Sequence, residues 1–334
     1  MKDAATRIEP TAAPARAAEG LETDGVPRPR PRLAYISHYL PALTQTFVYR
    51  EILALEELGW DITPFSIRRP TKGISEEAKD LASRTSYLIP VRWGTFLGRQ
   101  ASAFFSHPLR YLRILIGLVA APGESSRSRI HGLTHFFGAM HLVPELRRAG
   151  VRHFHAHFGQ NPTTLAMAAA DYLGIPFSMT IHARDLFVDT ALLRTKVDRA
   201  KFVVTISEYN RKLLAALARG PEAAARVHVL HCGIDLRRFT PRDAPRGEVG
   251  STTPVFLAVG RLVEKKGYQY LVEAAGILKD RGVAIDVRII GGGPDHDALA
   301  GRIAELGLAG RVTLEGPMPQ EKLLPLLREA DAFV

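Results

Sequence analysis

The sequence predicts an α/β protein built on parallel sheets, because short apolar segments alternate with amphipathic helical segments along most of its 334 residues. Short apolar runs bounded by turn residues are typical of buried strands, and a helix between two such runs connects parallel strands. The alternation stops at residues 240–253 and then starts again, which indicates a second α/β domain. The hydrophobic fraction of 46% is sufficient for a substantial core.

The first domain is predicted to begin at residue 31. Residues 1–30 are rich in Ala, Pro, Arg and Glu and have few large apolar side chains, which predicts a disordered leader. Helical spacing of apolar residues defines the first helix, and Gly59 ends it. Residues from roughly 75 to 149 are predicted to be helical and rich in arginine. Strands are predicted at 33–37, 60–65, 151–157, 176–182, 201–207 and 227–230, and further helices at 46–58, 162–173 and 208–217.

Residues 240–253 are rich in Pro, Gly, Ser and Thr and predict a linker. After it, strands are predicted at 255–259, 284–290 and 312–314, and helices at 267–281, 294–306 and 320–330. A last strand is predicted to begin at Asp331, where the chain is about to end. A domain of this size would be small, so we expect the second α/β domain at 254–334 to be incomplete.

Positive charge is concentrated at 91–152, where nine arginines but only two acidic residues occur in a chain of formal net charge +10. Aromatic residues lie between these arginines, namely Trp93, Phe96, Phe104, Phe105, Tyr111, Phe136 and Phe137. This mixture suits an anionic lipid surface or a polyanionic substrate, and solvated faces of ordinary amphipathic helices are an equal alternative. No nucleic-acid-binding signature accompanies the charge, so we do not expect nucleic acid as a partner.

The cysteine content and the apolar runs exclude several classes of protein. Cys232 is the single cysteine, so an intrachain disulfide framework and a thiolate zinc cluster are excluded. The longest apolar run, 114–121, is much shorter than the about 20 residues that a membrane-spanning helix needs. The N-terminus has no apolar signal core. We therefore expect a cytoplasmic protein, and the arginine-rich segment at 91–152 predicts that it attaches peripherally to the inner face of the cytoplasmic membrane.

Two turns in the second domain have the composition of a diphosphate site. The first, at 259–267, lies between a strand and a helix, and its Gly260 allows a close approach of the backbone to a ligand. Its Arg261 and Lys266 place two cations near a helix N-terminus. The second turn consists of three consecutive glycines, 291–293, and lacks the Gly-x-Gly-x-x-Gly spacing of a dinucleotide site. A basic surface turn and a simple tight turn are the respective alternatives.

In order and spacing, these motifs resemble those of the retaining glycosyltransferases of family 4, which have the GT-B fold. Further segments fit the same family at 204–210, 230–239 and 315–331. Three more segments resemble the subgroup that builds colanic acid and related exopolysaccharides, namely 37–51, His155-Ala156-His157-Phe158-Gly159 and Ile181-His182-Ala183-Arg184-Asp185. The resemblance extends from about residue 32 to the end of the chain.

The resemblance implies two Rossmann-like domains that face each other across a cleft, with an acceptor-binding domain at 31–239 and a partial nucleotide-sugar-binding domain at 254–334. It implies transfer of a sugar from a nucleotide-sugar to a lipid-linked or oligosaccharide acceptor, with retention of configuration, in exopolysaccharide or cell-surface glycan biosynthesis. No metal or other cofactor is implied. Family members carry paired glutamates soon after the strand that begins here at Ala332. We therefore expect a truncated chain with negligible transferase activity.

The resemblance also implies roles for individual residues. His182, at the carboxyl end of a predicted strand, would face the transferred sugar and is the candidate catalytic residue. The candidate donor-binding residues are Gly260, Arg261, Lys266, Gly291, Gly292, Gly293 and Met318. The acceptor-side candidates are Thr46, His157, Asp185 and Glu208.

Several of these residues have a structural alternative. His155 and His157 share one face of a strand, a spacing that suits two metal ligands, but the sequence shows no third ligand nearby. A structural or acceptor-side role is therefore favoured for both. Asp185 either pairs with its neighbour Arg184 or orients groups at the cleft. Glu208 begins a helix and is expected to cap it, and Cys232 is expected to be buried.

Two other kinds of protein remain alternatives to a transferase, a GT-B-like sugar-nucleotide epimerase and a non-catalytic protein that binds a polyanion or a membrane. The arginine-rich segment argues mildly against the epimerase. A nicotinamide-dependent oxidoreductase would need a Gly-x-Gly-x-x-Gly turn after the first strand, and residues 37–41 contain no glycine. A screen for nucleotide-sugar binding would separate the transferase from the polyanion-binding protein.

Overall fold

The computed structural model describes residues 31–42, 45–71, 73–122, 124–240, 242 and 253–334. The predicted leader, 1–30, and most of the predicted linker at 240–253 lie outside the described residues. The expectations for these two segments therefore stay predictions.

Seven parallel strands form the first sheet. They are β1 (Leu33–Tyr39), β2 (Ile62–Arg68), β3 (Ser86–Ile89), β4 (His153–His157), β5 (Phe177–Ile181), β6 (Val203–Thr205) and β7 (Val227–Val229). Their order across the sheet is β3-β2-β1-β4-β5-β6-β7. The order reverses between β1 and β4, and sheets of this kind bind ligands in the crevice beyond the carboxyl ends of the strands at such a reversal.

The helices of the first domain connect these strands. They are α1 (Thr46–Glu57), α2 (Lys79–Arg84), α3 (Trp93–Ser106), α4 (Pro108–Val119), α5 (Ser126–Arg148), α6 (Asn161–Leu173), α7 (Ala183–Phe187), α8 (Leu193–Arg199), α9 (Glu208–Leu217) and α10 (Pro221–Ala225). One turn of 3-10 helix, Glu76–Ala78, precedes α2. None of the helices in the described residues combines the length and the apolar character that a bilayer crossing demands.

The sequence-based prediction for 75–149 is wrong at β3. These four residues form the edge of the sheet and pair with β2 rather than extending the helical region. The strand is short and only Leu88 is buried, so its apolar pattern is too weak to indicate a strand. The other predicted strands and helices of the described chain are confirmed, with ends that shift by up to three residues.

A second parallel sheet has the order β10-β9-β8-β11. Its strands are β8 (Val255–Val259), β9 (Asp286–Ile290), β10 (Val312–Gly316) and β11 (Ala332–Phe333), and its helices are α11 (Tyr268–Asp280), α12 (His296–Glu305) and α13 (Gln320–Glu329). A 3-10 turn, Glu264–Lys266, precedes α11. The two parallel sheets with their helices confirm the predicted α/β fold class.

Each sheet has its own hydrophobic core. In the first domain, α6 lies against β4, β5 and α5, and almost all of its side chains are buried. Its four alanines at 166 and 168–170 allow this close packing on several sides. Large aromatic side chains fill the space around it, including Phe136, Phe154 and Tyr172. The core of the second sheet is smaller and is formed by apolar residues of β8, β9, α11 and α12.

A fully buried lysine holds the loop that follows β4. Lys196 lies on α8, and its Nζ donates hydrogen bonds to the backbone oxygens of Gly159 at 2.6 Å, Gln160 at 3.2 Å and Ala191 at 2.8 Å. Burial lowers the pKa of Lys196 to about 8, and the nearby carboxylate of Asp185 opposes this effect. The ammonium group therefore joins the loop after β4 to the loop before α8.

We predict that Lys196→Met lowers the free energy of unfolding by about 3–5 kcal/mol, because three buried carbonyl oxygens lose their hydrogen-bond donor. Chemical denaturation measures this change. Lys201→Met is the matched control, since Lys201 is exposed, and its effect should stay within about 0.5 kcal/mol. Equal stability of the two variants would show that Lys196 does not hold the loop.

Candidate functional site

A cavity of about 470 Å³ lies beyond the carboxyl ends of the first sheet, where the strand order reverses. Helix α1 contributes Phe47 and Glu51 to its wall, and His157 and His182 follow from β4 and β5. The segment 230–238, which continues from β7, forms much of the remaining wall. The cavity wall thus brings Glu51 together with His157 and His182. It also includes further acidic side chains, a third histidine and three arginines, namely Glu57, Glu77, Asp235, His231, Arg50, Arg237 and Arg238.

The carboxylate of Glu51 has two partners. Its Oε1 accepts a hydrogen bond from the Tyr35 hydroxyl at 3.1 Å, and its Oε2 lies 3.4 Å from Nε2 of His157. Burial raises the pKa of Glu51, but His157, His155 and Tyr35 outweigh burial and hold this pKa at about 2. Glu51 is therefore ionised at neutral pH.

His155 and His157 point to the same face of β4, with ring centroids 5.2 Å apart. His155 is buried, with its Nδ1 2.7 Å from Ser178 Oγ and its Nε2 3.1 Å from Thr180 Oγ1. Burial lowers the pKa of His155 to about 3, so its ring is neutral. The argument that no third ligand lies near these histidines is wrong in three dimensions, because one ligand atom each of Glu51, His155 and His157 lie within 4.8 Å of one another.

His182 lies between β5 and α7 and contacts two aromatic rings. Its ring centroid is 4.8 Å from that of Phe47 and 4.9 Å from that of Phe158. Burial lowers the pKa of His182 to about 4, and His157 acts in the same direction. The ring is therefore neutral, and its buried Nε2 has no hydrogen-bond partner among the described residues. His182 lines the cavity, and the hydrogen-bonding capacity of this nitrogen is unused there.

Asp185 does not line the cavity but contacts the backbone of His182. It is completely buried, and its Oδ2 accepts a hydrogen bond from the backbone N–H of His182 at 2.8 Å. Burial raises the pKa of Asp185, while the backbone N–H groups of His182 and Gly159 oppose this. No ion pair joins Arg184 and Asp185 in the described structure, in which Arg184 is exposed. Asp185 therefore fixes the backbone that carries His182.

Two further acceptor-side candidates, besides Asp185, do not line this cavity. Thr46 is the first residue of α1, next to the lining residue Phe47. Glu208 is exposed and accepts a hydrogen bond from Arg211 at 2.8 Å, and this bond lowers the pKa of Glu208. The cap of α9 is Ser207, whose Oγ accepts from the following helical turn, so the expectation that Glu208 caps the helix is wrong. The acceptor roles of Thr46 and Glu208 stay predictions.

Sequence reasoning also misplaced one lining residue and passed over another. Cys232 is exposed and lines the cavity, contrary to the expectation that it is buried, because it belongs to the extended segment after β7. Glu51 received no role from the sequence. It lies one helical turn after Phe47, and that i, i+4 spacing is the signal that places both side chains on the cavity side of α1.

The glycine-rich turns of the second domain interlock at the carboxyl end of their sheet. The N–H of Leu262 donates to the Gly292 oxygen at 3.1 Å. A Cβ atom on Gly291 would lie 1.8 Å from the Gly260 oxygen, and one on Gly293 would lie 2.1 Å from the Leu262 oxygen. Only glycine fits at 291 and 293, because the two backbones are in direct contact there.

The donor-side cations extend from this pair of turns. Arg261 and Lys266 are both exposed, and neither has an ion pair or a side-chain hydrogen bond to another described residue. Met318 follows β10 and is half-buried. All candidate donor residues thus lie in the turns that follow β8, β9 and β10, where a parallel sheet presents its ligand-binding edge.

An Asp-x-Asp triplet, Asp295 to Asp297, follows the glycines in the sequence. The Asp297 side chain is fully exposed at the start of α12, and its Oδ1 lies 2.9 Å from Nδ1 of His296. Over the described ranges, the only group of three or more metal-ligating side chains consists of Glu51, His155 and His157. The expectation that donor binding needs no metal stays a prediction.

Two family models match consecutive parts of the chain. Residues 44–238 match the model for Glycosyltransferase Family 4, and residues 240–334 match the model for Glycosyl transferases group 1. The boundary between the matches falls at the start of the predicted linker.

A relative in Salmonella typhimurium, the colanic acid biosynthesis glycosyltransferase WcaL, is 28% identical over 315 residues, which cover 88% of this chain and 72% of that protein. The part of each curated relative that this chain matches ranges from 26% to 74% of the length of that relative. Anabaena HepE, solved in complex with UDP-glucose, has a TM-score of 0.57 at 14% identity and covers 91% of this chain and 73% of its own. For UDP-GlcNAc 2-epimerase from Neisseria meningitidis the TM-score is 0.53 at 12% identity, and coverage is 90% of this chain and 74% of that one.

Both solved structures have the fold seen here, although one is bound to UDP-glucose and the other is an epimerase. Similarity of fold therefore does not separate these two activities. The family-4 model does provide a distinction, because it matches more than half of the chain and includes every residue of the cavity wall. The chain belongs to glycosyltransferase family 4 and has a GT-B fold.

Proposed function

We propose that this protein is a retaining glycosyltransferase that moves a sugar from a nucleotide-sugar to a lipid-linked or oligosaccharide acceptor in exopolysaccharide or cell-surface glycan biosynthesis. The observation that carries the proposal is the presence of two strand-end sites within the matched regions, a histidine-lined cavity on the first sheet and basic glycine turns on the second. The name of the Salmonella relative supports the exopolysaccharide class. The UDP-glucose bound to HepE supports a nucleotide-sugar donor.

The donor side of the proposal depends on two unpaired cations. When the bond between the anomeric carbon and the diphosphate oxygen breaks, negative charge develops on the diphosphate. Arg261 can form two parallel hydrogen bonds to such a group, and Lys266 adds a point charge. Neither side chain has an ion pair with another described residue, so we infer that both bind the diphosphate and that their charges take the place of a metal there.

The acceptor side of the proposal depends on the cavity of the first domain. His182 is neutral and presents an unpartnered Nε2, which can exchange a hydrogen bond with a sugar hydroxyl. Glu51 is ionised and can accept a hydrogen bond from a hydroxyl of the acceptor. His157 lies between them in the wall, and Asp185 keeps His182 in position.

An epimerase with the same fold is the alternative activity. The family-4 match and the name of the Salmonella relative favour transfer over epimerisation. The two activities differ in their substrates, because an epimerase converts the nucleotide-sugar without any acceptor. Incubation with nucleotide-sugars alone, followed by separation of the sugars, therefore tests the alternative directly.

A membrane surface is the proposed third partner. The helices α3 and α4 expose large apolar side chains, of which Trp93, Phe105 and Leu109 are 70%, 79% and 83% exposed. Arg92 and Arg113 are exposed beside them. Apolar side chains mixed with arginines suit the headgroup region of an anionic membrane. We propose that this face rests on the inner surface of the cytoplasmic membrane, near a lipid-linked acceptor.

We predict that His182→Ala lowers kcat by about 100-fold, because the transition state loses a positioned hydrogen-bonding group. The dissociation constant of the donor should change by less than about threefold. Steady-state kinetics and calorimetry of a full-length form, which also carries the paired glutamates expected after β11, measure these two quantities. His228→Ala serves as the control, since His228 is exposed on β7. A large loss of donor binding with unchanged kcat would make His182 a binding residue instead.

Replacement of both Arg261 and Lys266 by alanine should weaken binding of a nucleoside diphosphate by at least about 10-fold, because two charge-assisted contacts are lost. Calorimetry with UDP and GDP gives the affinities. Lys265→Ala removes a charge from the same turn and should have little effect. If the control and the double variant bind equally, the turn is a basic surface feature.

Binding to anionic vesicles should fall steeply as salt increases, because each basic residue near the surface contributes about 1 kcal/mol. Co-sedimentation of a variant with both Arg92→Gln and Arg113→Gln should give roughly 30-fold weaker binding. The control carries Lys265→Gln and Arg281→Gln in the second domain. Equal binding to neutral and anionic vesicles would refute the proposed membrane surface.

A further inference from the structure

We propose that Glu51, His155 and His157 form a binding site for a divalent transition-metal ion of the zinc type beside the cavity of the first domain. One ligand atom of each residue lies within 4.8 Å of the other two. Imidazole nitrogens and carboxylate oxygens are ligands of Zn²⁺, and two histidines with one glutamate leave a coordination position open. The set combines side chains from α1 and β4.

The spacing of the side chains is close to what such an ion requires. A tetrahedral ion with bonds of about 2.1 Å keeps its ligand atoms roughly 3.4 Å apart. Glu51 Oε2 and His157 Nε2 already have this separation of 3.4 Å. Two ligand atoms at the largest separation within this group, 4.8 Å, would have to move about 1.4 Å closer to each other. Small rotations of the side chains can supply this movement.

A buried histidine without hydrogen bonds is the second observation. The side chain of His157 is only 1% exposed, its Nδ1 has no hydrogen-bond partner in the described part of the chain, and its Nε2 has only the long contact of 3.4 Å with Glu51 Oε2. Leaving a buried polar group unpaired costs about 1–3 kcal/mol, so native proteins normally satisfy such groups. A cation between Glu51 and His157 would provide a partner for Nε2.

Neighbouring hydroxyl groups contact the proposed ligands, as outer contacts do in many metal sites. Tyr35 donates a hydrogen bond to Oε1 of Glu51, which leaves Oε2 free to face His157. Ser178 Oγ lies 2.7 Å from Nδ1 of His155. When Nδ1–H donates to Ser178, the lone pair of His155 is on Nε2, the nitrogen now 3.1 Å from the Thr180 hydroxyl. Such outer contacts orient ligating histidines and raise their affinity for metal.

The site is separate from the proposed diphosphate site. Its residues belong to α1 and β4 of the first domain, whereas Arg261 and Lys266 follow a strand of the second sheet. Glu51 and His157 line the cavity, so the open coordination position can take a water molecule or an oxygen of a bound ligand. The metal site depends on the geometry of these three side chains and not on which sugar, or whether any sugar, is transferred.

Metal titration of the untagged full chain tests the site. The protein is stripped with EDTA and titrated with Zn²⁺ in competition with a chromophoric chelator, and Co²⁺ binding is followed by its visible absorption. We expect one ion per chain. Glu51→Gln and His157→Gln should each weaken binding by at least about 100-fold, and Ser178→Ala by about 10–100-fold through the orientation of His155.

A second pair of histidines provides the matched control. His131 and His135 are one turn apart on α5, with ring centroids 6.2 Å apart, and such a pair can also bind Zn²⁺. His131→Gln should leave the affinity unchanged. Absence of stoichiometric binding would overturn the proposal, and so would binding that is lost in His131→Gln but retained in Glu51→Gln and His157→Gln.

A second measurement avoids reliance on variants that fail to fold. X-ray absorption of the zinc-loaded wild-type chain should report two imidazole nitrogens and carboxylate oxygen, and a different ligand set would overturn the proposal. Failure here would leave the proposed transferase intact, because calorimetry with UDP and GDP reports on Arg261 and Lys266 independently. Conversely, loss of diphosphate binding would leave the metal titration unaffected.

Discussion

The reversal of strand order between β1 and β4 is the constraint on which the site depends. The helices that leave these two strands diverge, so a crevice opens beyond the carboxyl ends of the strands. Residues far apart in sequence enter this crevice from α1, β4 and the segment after β7. The topology of the sheet therefore determines which side chains meet in the cavity, and the identity of those side chains then determines its chemistry.

Buried polar contacts then fix the individual side chains. Lys196 holds the loop after β4 through three backbone oxygens, and Asp185 holds the backbone of His182. Asp185 packs against Gly159, where a Cβ would lie only 3.2 Å from the Asp185 Cβ. The position of His182 is thus determined by a network beneath the cavity, in which each member is largely or fully buried.

Much of the fold could be predicted from the sequence, because helix spacing and apolar runs are local signals. The strand β3 could not, since its four residues carry only one buried position and gain their structure by pairing with β2. At the site, His182 and His157 were predicted as candidates from the family resemblance, which for His182 agrees with its place at a strand end. The partnership of Glu51 with His155 and His157 was not, because it depends on contacts between α1 and β4 that no local pattern encodes.

The interlocked glycine turns of the second domain have a further consequence for ligand affinity. Backbone contacts between 260–262 and 291–293 already exist before any ligand arrives. A flexible loop would lose conformational entropy on binding an anion, and this loss would weaken the complex. Here the backbone is preorganised, so only the side chains of Arg261 and Lys266 must become ordered. The turn would thus bind an anion with a rigid backbone and two flexible side chains.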